Sequence, residues 1–291
     1  MIALFFKYLF QFPYFKRHYF GFYKHFFSKY HLFKNETKEI TYDSNLKMRL
    51  YLEDFIQQQI YFLDYYDKPS IQFLKNNLKP GDVYIDVGAN VGAFALVACS
   101  HVGVQGKVIA FEPVSHVYDQ LKYNVQLNHF SQMTIEKLAL FNENTQLNLI
   151  LSSNENLGMS SIFRHDAING KTEIVNAVRG DDYFLQKNIS RIDFIKMDIE
   201  GAELFALQGL EETLEKFKPI LFVELSEAVL ANSSVKKEEI ITFLKKMKYE
   251  MKGIDNAGNI VELDSGEIND SENVVFLNSE IILHHHLQST N

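Results

Sequence analysis

Residues 83–100 hold a short strand-like run, a glycine turn and a longer apolar run, and that unit most constrains what this chain can fold into. Val83-Tyr84-Ile85-Asp86-Val87 lies between the Lys79-Pro80-Gly81 turn and Gly88. Its length and flanking turns give a buried strand, with a helix over Val91–Ser100. The alternation continues. Strands are expected at Lys107–Glu112, Met133–Leu138, Ile192–Met197 and Ile220–Leu225, and helices at Ser115–Asn128, Glu203–Phe217 and Lys236–Lys248. Tyr249–Ile254 and Val274–Leu277 finish the sheet, while Gln146–Leu151 reads as an added strand. This βα alternation predicts an α/β, Rossmann-like fold, with a mostly parallel sheet covered by helices on both faces. Residues 152–172, rich in Ser, Asn and Gly, read as one long irregular segment, and loops of that length are often functional.

In open α/β sheets, ligands bind at the carboxyl ends of the strands. Gly88 and Gly92 let the backbone pass close to such a ligand because no Cβ intervenes. Asp86 would repel a diphosphate, and the Gly88-to-Gly92 spacing lacks the Gly-x-Gly-x-x-Gly order of a dinucleotide turn. No phosphate-loop Gly-Lys-Ser/Thr follows either. A ligand presenting a cation or hydroxyls suits the turn better, which favours S-adenosylmethionine over a dinucleotide. Glu112, 24 residues after Gly88 at the end of the second strand, is placed to accept hydrogen bonds from ribose hydroxyls.

The front of the chain differs in charge from the rest. Residues 1–35 carry six Lys or Arg and no acid, leaving 23 bases against 37 acids elsewhere. An acidic body argues against nucleic acid as a partner. The same 35 residues hold 15 of the 40 aromatics. Phe15, Tyr19, Phe22, Phe26, Tyr30 and Phe33 follow a helical period, with Arg17, Gly21, Lys24, Ser28 and His31 opposite and Pro13 near the start. Two readings stand open: peripheral contact with a membrane surface through residues 14–34, or a helix packed on the body or on a second subunit. No apolar run reaches the length of a transmembrane span. Lys16-Arg17 and the lack of a small-residue cleavage site give no expectation of a signal peptide. A single cysteine, Cys99, allows no internal disulfide and fits a reducing, cytoplasmic setting. The organisation expected is a basic aromatic helical extension at 1–45, a helical lead-in at 46–78 with Leu52, Phe55, Ile56, Ile60 and Leu63 as its stripe, the α/β domain at 79–280 and a tail at 281–291. The tail's His284-His285-His286 has no partner acids and reads as a solvated end.

A second constellation runs through Lys196-Met197-Asp198-Ile199-Glu200-Gly201-Ala202-Glu203. Lys196, inside a buried strand, is expected to pair with an acid. Asp198 at the strand tip is placed to orient a cofactor or act as a base towards a hydroxyl. The bland reading is that Asp198, Glu200 and Glu203 cap the next helix and complement its positive end. Three carboxylates can also hold a divalent ion, a less favoured reading, and no metal site is assigned. Glu224, ending the fifth strand, faces the same crevice or is a structural acid near the rim.

Asp86-Val87-Gly88-Ala89-Asn90-Val91-Gly92, Phe111-Glu112-Pro113, Asn124 with Asn128, and Lys196 through Glu203 together resemble the FkbM family of S-adenosylmethionine-dependent methyltransferases, over about residues 78–278. The resemblance implies a seven-strand class I methyltransferase sheet and methyl transfer to a hydroxyl of a sugar, glycan or other small molecule. It implies that Asp86, Gly88, Asn90 and Gly92 line the methionine end of the cofactor, that Glu112 binds ribose, and that Leu138 and Ala139 lie near adenine. Asp198, Glu200 and Glu203 become active-site candidates without an assigned proton role. Two positions depart from the family: Arg179-Gly180-Asp181-Asp182-Tyr183 replaces a Leu-Asp-Asp-like pattern, and Leu225-Ser226 stands where a His often follows the strand-five Glu. The competing functions are a nicotinamide dehydrogenase on the same sheet and a binding protein that keeps the fold without turnover.

Overall fold

The computed structural model describes residues 2–43, 45–152, 160–163, 171–233, 235–263 and 273–280. The expected loop is described only at residues 152, 160–163 and 171–172, and the His284–His286 tail lies outside the described residues.

The front end comprises α1 (Ile2–Leu9), α2 (Pro13–Arg17), α3 (Tyr19–Phe22), a π-helical turn at Tyr23–Phe27, β1 (Thr37–Tyr42), β2 (Leu46–Tyr51), α4 (Phe55–Leu63) and α5 (Lys68–Asn77). The central part runs through β3 (Val83–Val87), α6 (Ala93–Val102), β4 (Lys107–Phe111), α7 (Ser115–Asn128), β5 (Met133–Glu136), β6 (Ala139–Phe141), β7 (Thr145–Ile150), β8 (Thr172–Arg179) and α8 (Gly180–Gln186). The last part holds β9 (Phe194–Met197), α9 (Glu203–Gln208), α10 (Glu211–Phe217), β10 (Ile220–Glu224), α11 (Glu227–Ser233), α12 (Lys237–Lys246), β11 (Tyr249–Ile254), β12 (Ile260–Val261) and β13 (Asn273–Asn278).

The main sheet has the order β12-β11-β13-β10-β9-β3-β4-β5. Strands β5, β4, β3, β9 and β10 are parallel, and β13 is inserted antiparallel between β10 and β11. Seven strands therefore form the class I methyltransferase sheet expected from the sequence, and the two-residue β12 lengthens its edge to eight. Successive strand residues point to opposite faces, and this splits the core in two. Tyr84, Val108 and Phe194 pack with α5, α6 and α7, whereas Ile85, Ile109 and Ile195 pack with α8, α9, α10 and α12. The chain runs outward from β3 to β5, then crosses back to β9. The β3–β9 seam is thus the switch point at which such sheets open a ligand crevice.

Three expectations need correction. Residues 46–51 are not helical: Leu46, Met48 and Leu50 are buried in alternation, so they form β2, paired with β1 across the expected boundary at 45. A period of two over six residues outweighed the helical stripe, which begins only in α4. Second, the expected Glu203–Phe217 helix is two helices, broken at Gly209. A Cβ there would stand 2.0 Å from the Phe141 carbonyl oxygen, so only glycine permits the close approach to β6. Third, the aromatic stripe slips. Ser28 N–H bonds the Tyr23 carbonyl at 2.9 Å and Leu32 N–H bonds the Phe27 carbonyl at 3.0 Å, each spanning five residues rather than four. That wider turn buries Phe27 and leaves Phe26 and Tyr30 exposed. Tyr19 and Phe33 stay inside, and the rings of Phe27 and Phe33 pack at a tilt against Phe62 of α4 at distances of 5.6 and 5.2 Å. One side of the front end thus packs on the body.

Asn124 and Asn128 fasten the lead-in to the α/β core. Their side-chain carbonyls accept from Arg49 N–H at 2.7 Å and Lys47 N–H at 2.8 Å on the outer edge of β2, and Asn128 donates back to the Lys47 carbonyl at 2.8 Å. Asn124 also donates to the Val91 carbonyl at 2.9 Å, joining that edge to the turn after β3. An α-helix thereby satisfies backbone groups that a neighbouring strand would otherwise serve. Asp181, from the variant Arg-Gly-Asp-Asp segment, accepts from Glu212 and Thr213 N–H at 3.1 and 2.8 Å and so caps α10.

Candidate active site

The turn after β3 folds back against the tip of β9. Gly88 has φ +81°, and a Cβ on it would stand 2.0 Å from the Asp198 carbonyl oxygen. No side chain fits there, so glycine sets how closely the two strand ends approach. The N–H groups of Gly88 and Ala89 bond the Phe111 carbonyl, that of Asn90 bonds Glu112 Oε2 at 3.0 Å, and that of Gly92 bonds the Ala89 carbonyl. A dinucleotide turn offers such groups to phosphate; here four of them are spent inside the protein.

A cavity of about 280 Å³ opens over these strand ends. Gly88, Asn90, Glu112, Leu138, Ala139, Asp198 and Glu200 all line it, so most of the residues singled out in the sequence meet at one place. Asp86, Gly92 and Glu203 do not line it and stand behind the wall. Gly92, with φ +96°, precedes α6 and packs against Leu121. Four residues missing from the assigned site also line the cavity: Phe55 and Ile56 of α4, Tyr66 between α4 and α5, and Glu224 at the tip of β10. Glu224 carried a legible signal as an acid ending a buried strand. The other three carried none, because the lead-in reaches the site through packing on distant segments, β2 on α7 and α5 on α6.

Glu112 accepts from two backbone N–H groups, Asn90 at Oε2 and Val114 at Oε1, each at 3.0 Å. Burial pushes its carboxyl up to about 7, against the pull of those two bonds. A carboxylate has about four acceptor positions, so two remain for hydroxyls of a ligand. Leu138, Ala139, Leu147, Leu149 and Ile162 supply an apolar wall for a flat ring.

At the other end Lys196 is buried, with Nζ 3.3 Å from Asp198 Oδ2, 3.6 Å from Asp86 Oδ1 and 3.2 Å from the Gly88 carbonyl. The pairing expected for this lysine is therefore present twice. Burial works against its charge, but the two aspartates hold the ammonium above its ordinary range. Burial raises Asp86 to about 6, Lys196 opposing it. Asp198 hydrogen-bonds Glu224, and the pair shares one proton. Burial first, then the Asp198 charge, keeps that proton on Glu224. Asp198 stays ionised because Lys196 and the Glu224 hydrogen bond outweigh its own burial. Carboxylate oxygens of Asp198, Glu200 and Glu224 lie within 4.8 Å of one another, so the structure groups Glu224, rather than Glu203, with the first two.

Glu203 closes the loop from below. Its Oε1 accepts from Ile199 N–H at 3.0 Å and Gly201 N–H at 3.3 Å, the clamp on a turn in which Glu200 has φ +55° and Gly201 φ +99°. Both donors precede α9, so Glu203 braces the turn before that helix and is not the helix cap weighed in the sequence. Burial raises its carboxyl from 4.5 to about 7. The folded state thus keeps a proton that the unfolded chain releases from about pH 4.5, and this contribution to stability is lost as pH rises towards 7. In Glu203→Gln the fall in stability between pH 4.5 and 7 should be smaller by about 3 kcal/mol. Chemical denaturation across that range measures it, and an unchanged slope would show that Glu203 titrates normally.

Among the described residues the cavity's charged lining is Glu112, Asp198, Glu200 and Glu224 against one cation, Lys196, which Asp86 and Asp198 already engage. Such a lining suits a positively charged ligand with ribose hydroxyls and repels a diphosphate, so the residues present fit S-adenosylmethionine. Residues 86–251 match the model of the methyltransferase FkbM domain. The chain is 25% identical over 178 residues to methyltransferase 1 of Beauveria bassiana, covering 55% of this chain and 68% of that protein. It is 26% identical over 163 residues to the 31-O-demethyl-FK506 methyltransferase FkbM of Streptomyces tacrolimicus, covering 46% of this chain and 62% of that protein. The crystal structure of methyltransferase FkbM from Methylobacillus flagellatus aligns over 75% of this chain and 49% of that one, at 16% identity and a TM-score of 0.46. The chain thus spans about half to two thirds of these relatives' lengths. With the model match over more than half of its residues, the chain belongs to the FkbM family of methyltransferases, and its cofactor is S-adenosylmethionine.

Proposed function

We propose that this protein transfers a methyl group to a hydroxyl of a sugar, a glycan or a related small metabolite, with Asp198 accepting the hydroxyl proton. The carrying observation is the Asp198–Glu224 pair beside Lys196 at the cavity wall, an ionised carboxylate held next to a protonated one. S-adenosylmethionine, when bound, supplies an electrophilic methyl on a positively charged sulfur. Gly88 and Asn90 are assigned to its methionine end, with Asp86 and Gly92 shaping that turn from behind. Glu112 is assigned to the ribose hydroxyls, and Leu138 with Ala139 to the adenine.

Asp198 takes the proton as the hydroxyl oxygen forms its new bond to carbon. Lys196 fixes the Asp198 carboxylate and keeps it ionised. Protonated Glu224 donates a hydrogen bond to Asp198, which helps hold the base in place. Glu200 lines the acceptor side, while Glu203 holds the loop that carries both. The main contribution is to place hydroxyl and methyl in line and to exclude water. The name of the Streptomyces relative, an O-demethyl-FK506 methyltransferase, is consistent with a hydroxyl acceptor. An acidic cavity on an acidic body does not favour nucleic acid, and one buried cysteine fits the reducing cytoplasmic side.

Calorimetric titration should give a binding heat with S-adenosylmethionine and none with NAD; heat with NAD alone overturns the assignment. Mass spectrometry of the host's glycans with and without the protein should then show one methyl lost from a sugar hydroxyl. An unchanged glycan profile removes the acceptor class.

A further inference from the structure

The front end has an outer face that the packing does not use. Helix α1 buries Ala3 against the body, with Phe6 packed beside it, yet it is apolar on its other side as well. Leu4, Phe5 and Tyr8 fall within about 100° of one another on the helix. They are 64, 60 and 68% exposed. Phe12 continues this surface, its ring 5.5 Å from that of Tyr8, and Tyr14, Phe20, Phe26 and Tyr30 are exposed farther along. A helix apolar all round ordinarily lies in a core or in lipid. An exposed aromatic surface of this extent marks an interaction site.

The charges around it select the partner. Lys7 is tied down by Asp64 at 3.3 Å, and Lys16 donates to the Leu63 carbonyl at 3.2 Å, so both pin the segment to the body. Arg17, Lys24, Lys29 and Lys34 are exposed, with no acid anywhere in residues 1–35. The remaining chain carries a net negative charge that an anionic surface would repel, which favours approach through this acid-free face. No helix among the described residues is long and apolar enough to cross a membrane. Exposed aromatics, surface cations and short helices lying along the body suit the interfacial layer of a bilayer, where aromatic rings sit among headgroups and cations meet anionic lipid.

We propose that residues 2–34 dock the protein on the surface of an anionic phospholipid bilayer, with Leu4, Phe5, Tyr8 and Phe12 entering the headgroup layer and Arg17, Lys24 and Lys29 bound to lipid phosphate. The exposed surface extends to the catalytic cavity. Phe20 and Tyr23 contact Phe55 at ring distances of 6.2 and 4.4 Å, and Phe55 lines the cavity. Docking therefore brings the cavity close to the bilayer, which fits a membrane-borne acceptor. That extension rests on the methyl-transfer reading; the docking itself does not.

Vesicle flotation of the full chain tests it without reference to turnover. The protein should float with phosphatidylcholine–phosphatidylglycerol vesicles and at least about ten-fold less with phosphatidylcholine alone or in high salt. The triple variant Phe5→Ser, Tyr8→Ser, Phe12→Ser and the double variant Arg17→Glu, Lys24→Glu should each bind about ten-fold more weakly. Their thermal midpoints and S-adenosylmethionine binding should match the parent, since every altered side chain is exposed. Failure of the parent to float, or equal flotation of parent and variants, overturns the docking. So does a dimer of the parent that the triple variant dissolves, because the face then serves a second copy of the chain.

Discussion

Asp198→Asn is expected to lower the rate of methyl transfer by about 10²- to 10⁴-fold while S-adenosylmethionine still binds, the range a lost general base commands. Asn has nearly the same shape, and the Asp198 carbonyl that packs on Gly88 belongs to the backbone, so the turn is undisturbed. What disappears is the charge that Lys196 stabilises and the site to which the acceptor proton moves. Single-turnover assays report the chemical step and calorimetry reports cofactor affinity. An unchanged chemical step would mean that alignment alone carries the reaction and that solvent takes the proton. A large loss of cofactor affinity would instead assign Asp198 to binding.

Lys196→Met should destabilise the fold by about 3–5 kcal/mol at pH 7, because it leaves two aspartates around a buried site without their cation. In a chain of this size that corresponds to a fall of roughly 5–8 °C in Tm. Its pH dependence separates charge from packing. Asp86, raised by burial to about 6, is ionised in the parent fold at pH 7 and neutral below pH 6. Lys196 therefore contributes less as pH falls, and the difference between parent and variant should narrow between pH 7 and pH 5. A difference constant with pH would mean that the ammonium matters through the Phe94 ring, over which it lies at 5.2 Å, rather than through Asp86.

The lysine shows how much one residue reveals in advance. A lysine in the middle of an apolar strand cannot stay unpaired, so its pairing was legible; which acids it would choose was not. Asp198 is two residues on, just past the end of the same strand, but Asp86 is 110 residues away, on β3, and meets Lys196 only because β3 and β9 are neighbours with Asp86 in register with Lys196. Glu203 was equally ambiguous in the sequence as cap or catalyst. Two backbone N–H groups of the turn before α9 give it a bracing role, and the geometry brings Glu224 to the cluster in its place.

The front end teaches a related lesson. Its aromatic period predicts a uniform helical step, whereas a π-helical turn moves the buried position from Phe26 to Phe27. In residues 46–51 a period of two over six residues is a short signal beside a helical stripe. Asn124 and Asn128 were recognised only as members of a pattern. Their work, holding the edge of β2 on α7, involves main-chain groups more than 70 residues away.

The sequence by itself determined the parallel sheet, the glycine turn, Glu112 and the acidic run from Asp198. Each depends on local period, backbone freedom or a residue's place at a strand end, and those properties are written in neighbouring residues. Only the tertiary structure decided which acids share a proton, that Tyr66, Phe55 and Ile56 complete the cavity, and which aromatics face outward. Those outcomes depend on which distant segments pack together, and burial with a particular neighbour, rather than residue type, sets both protonation and exposure.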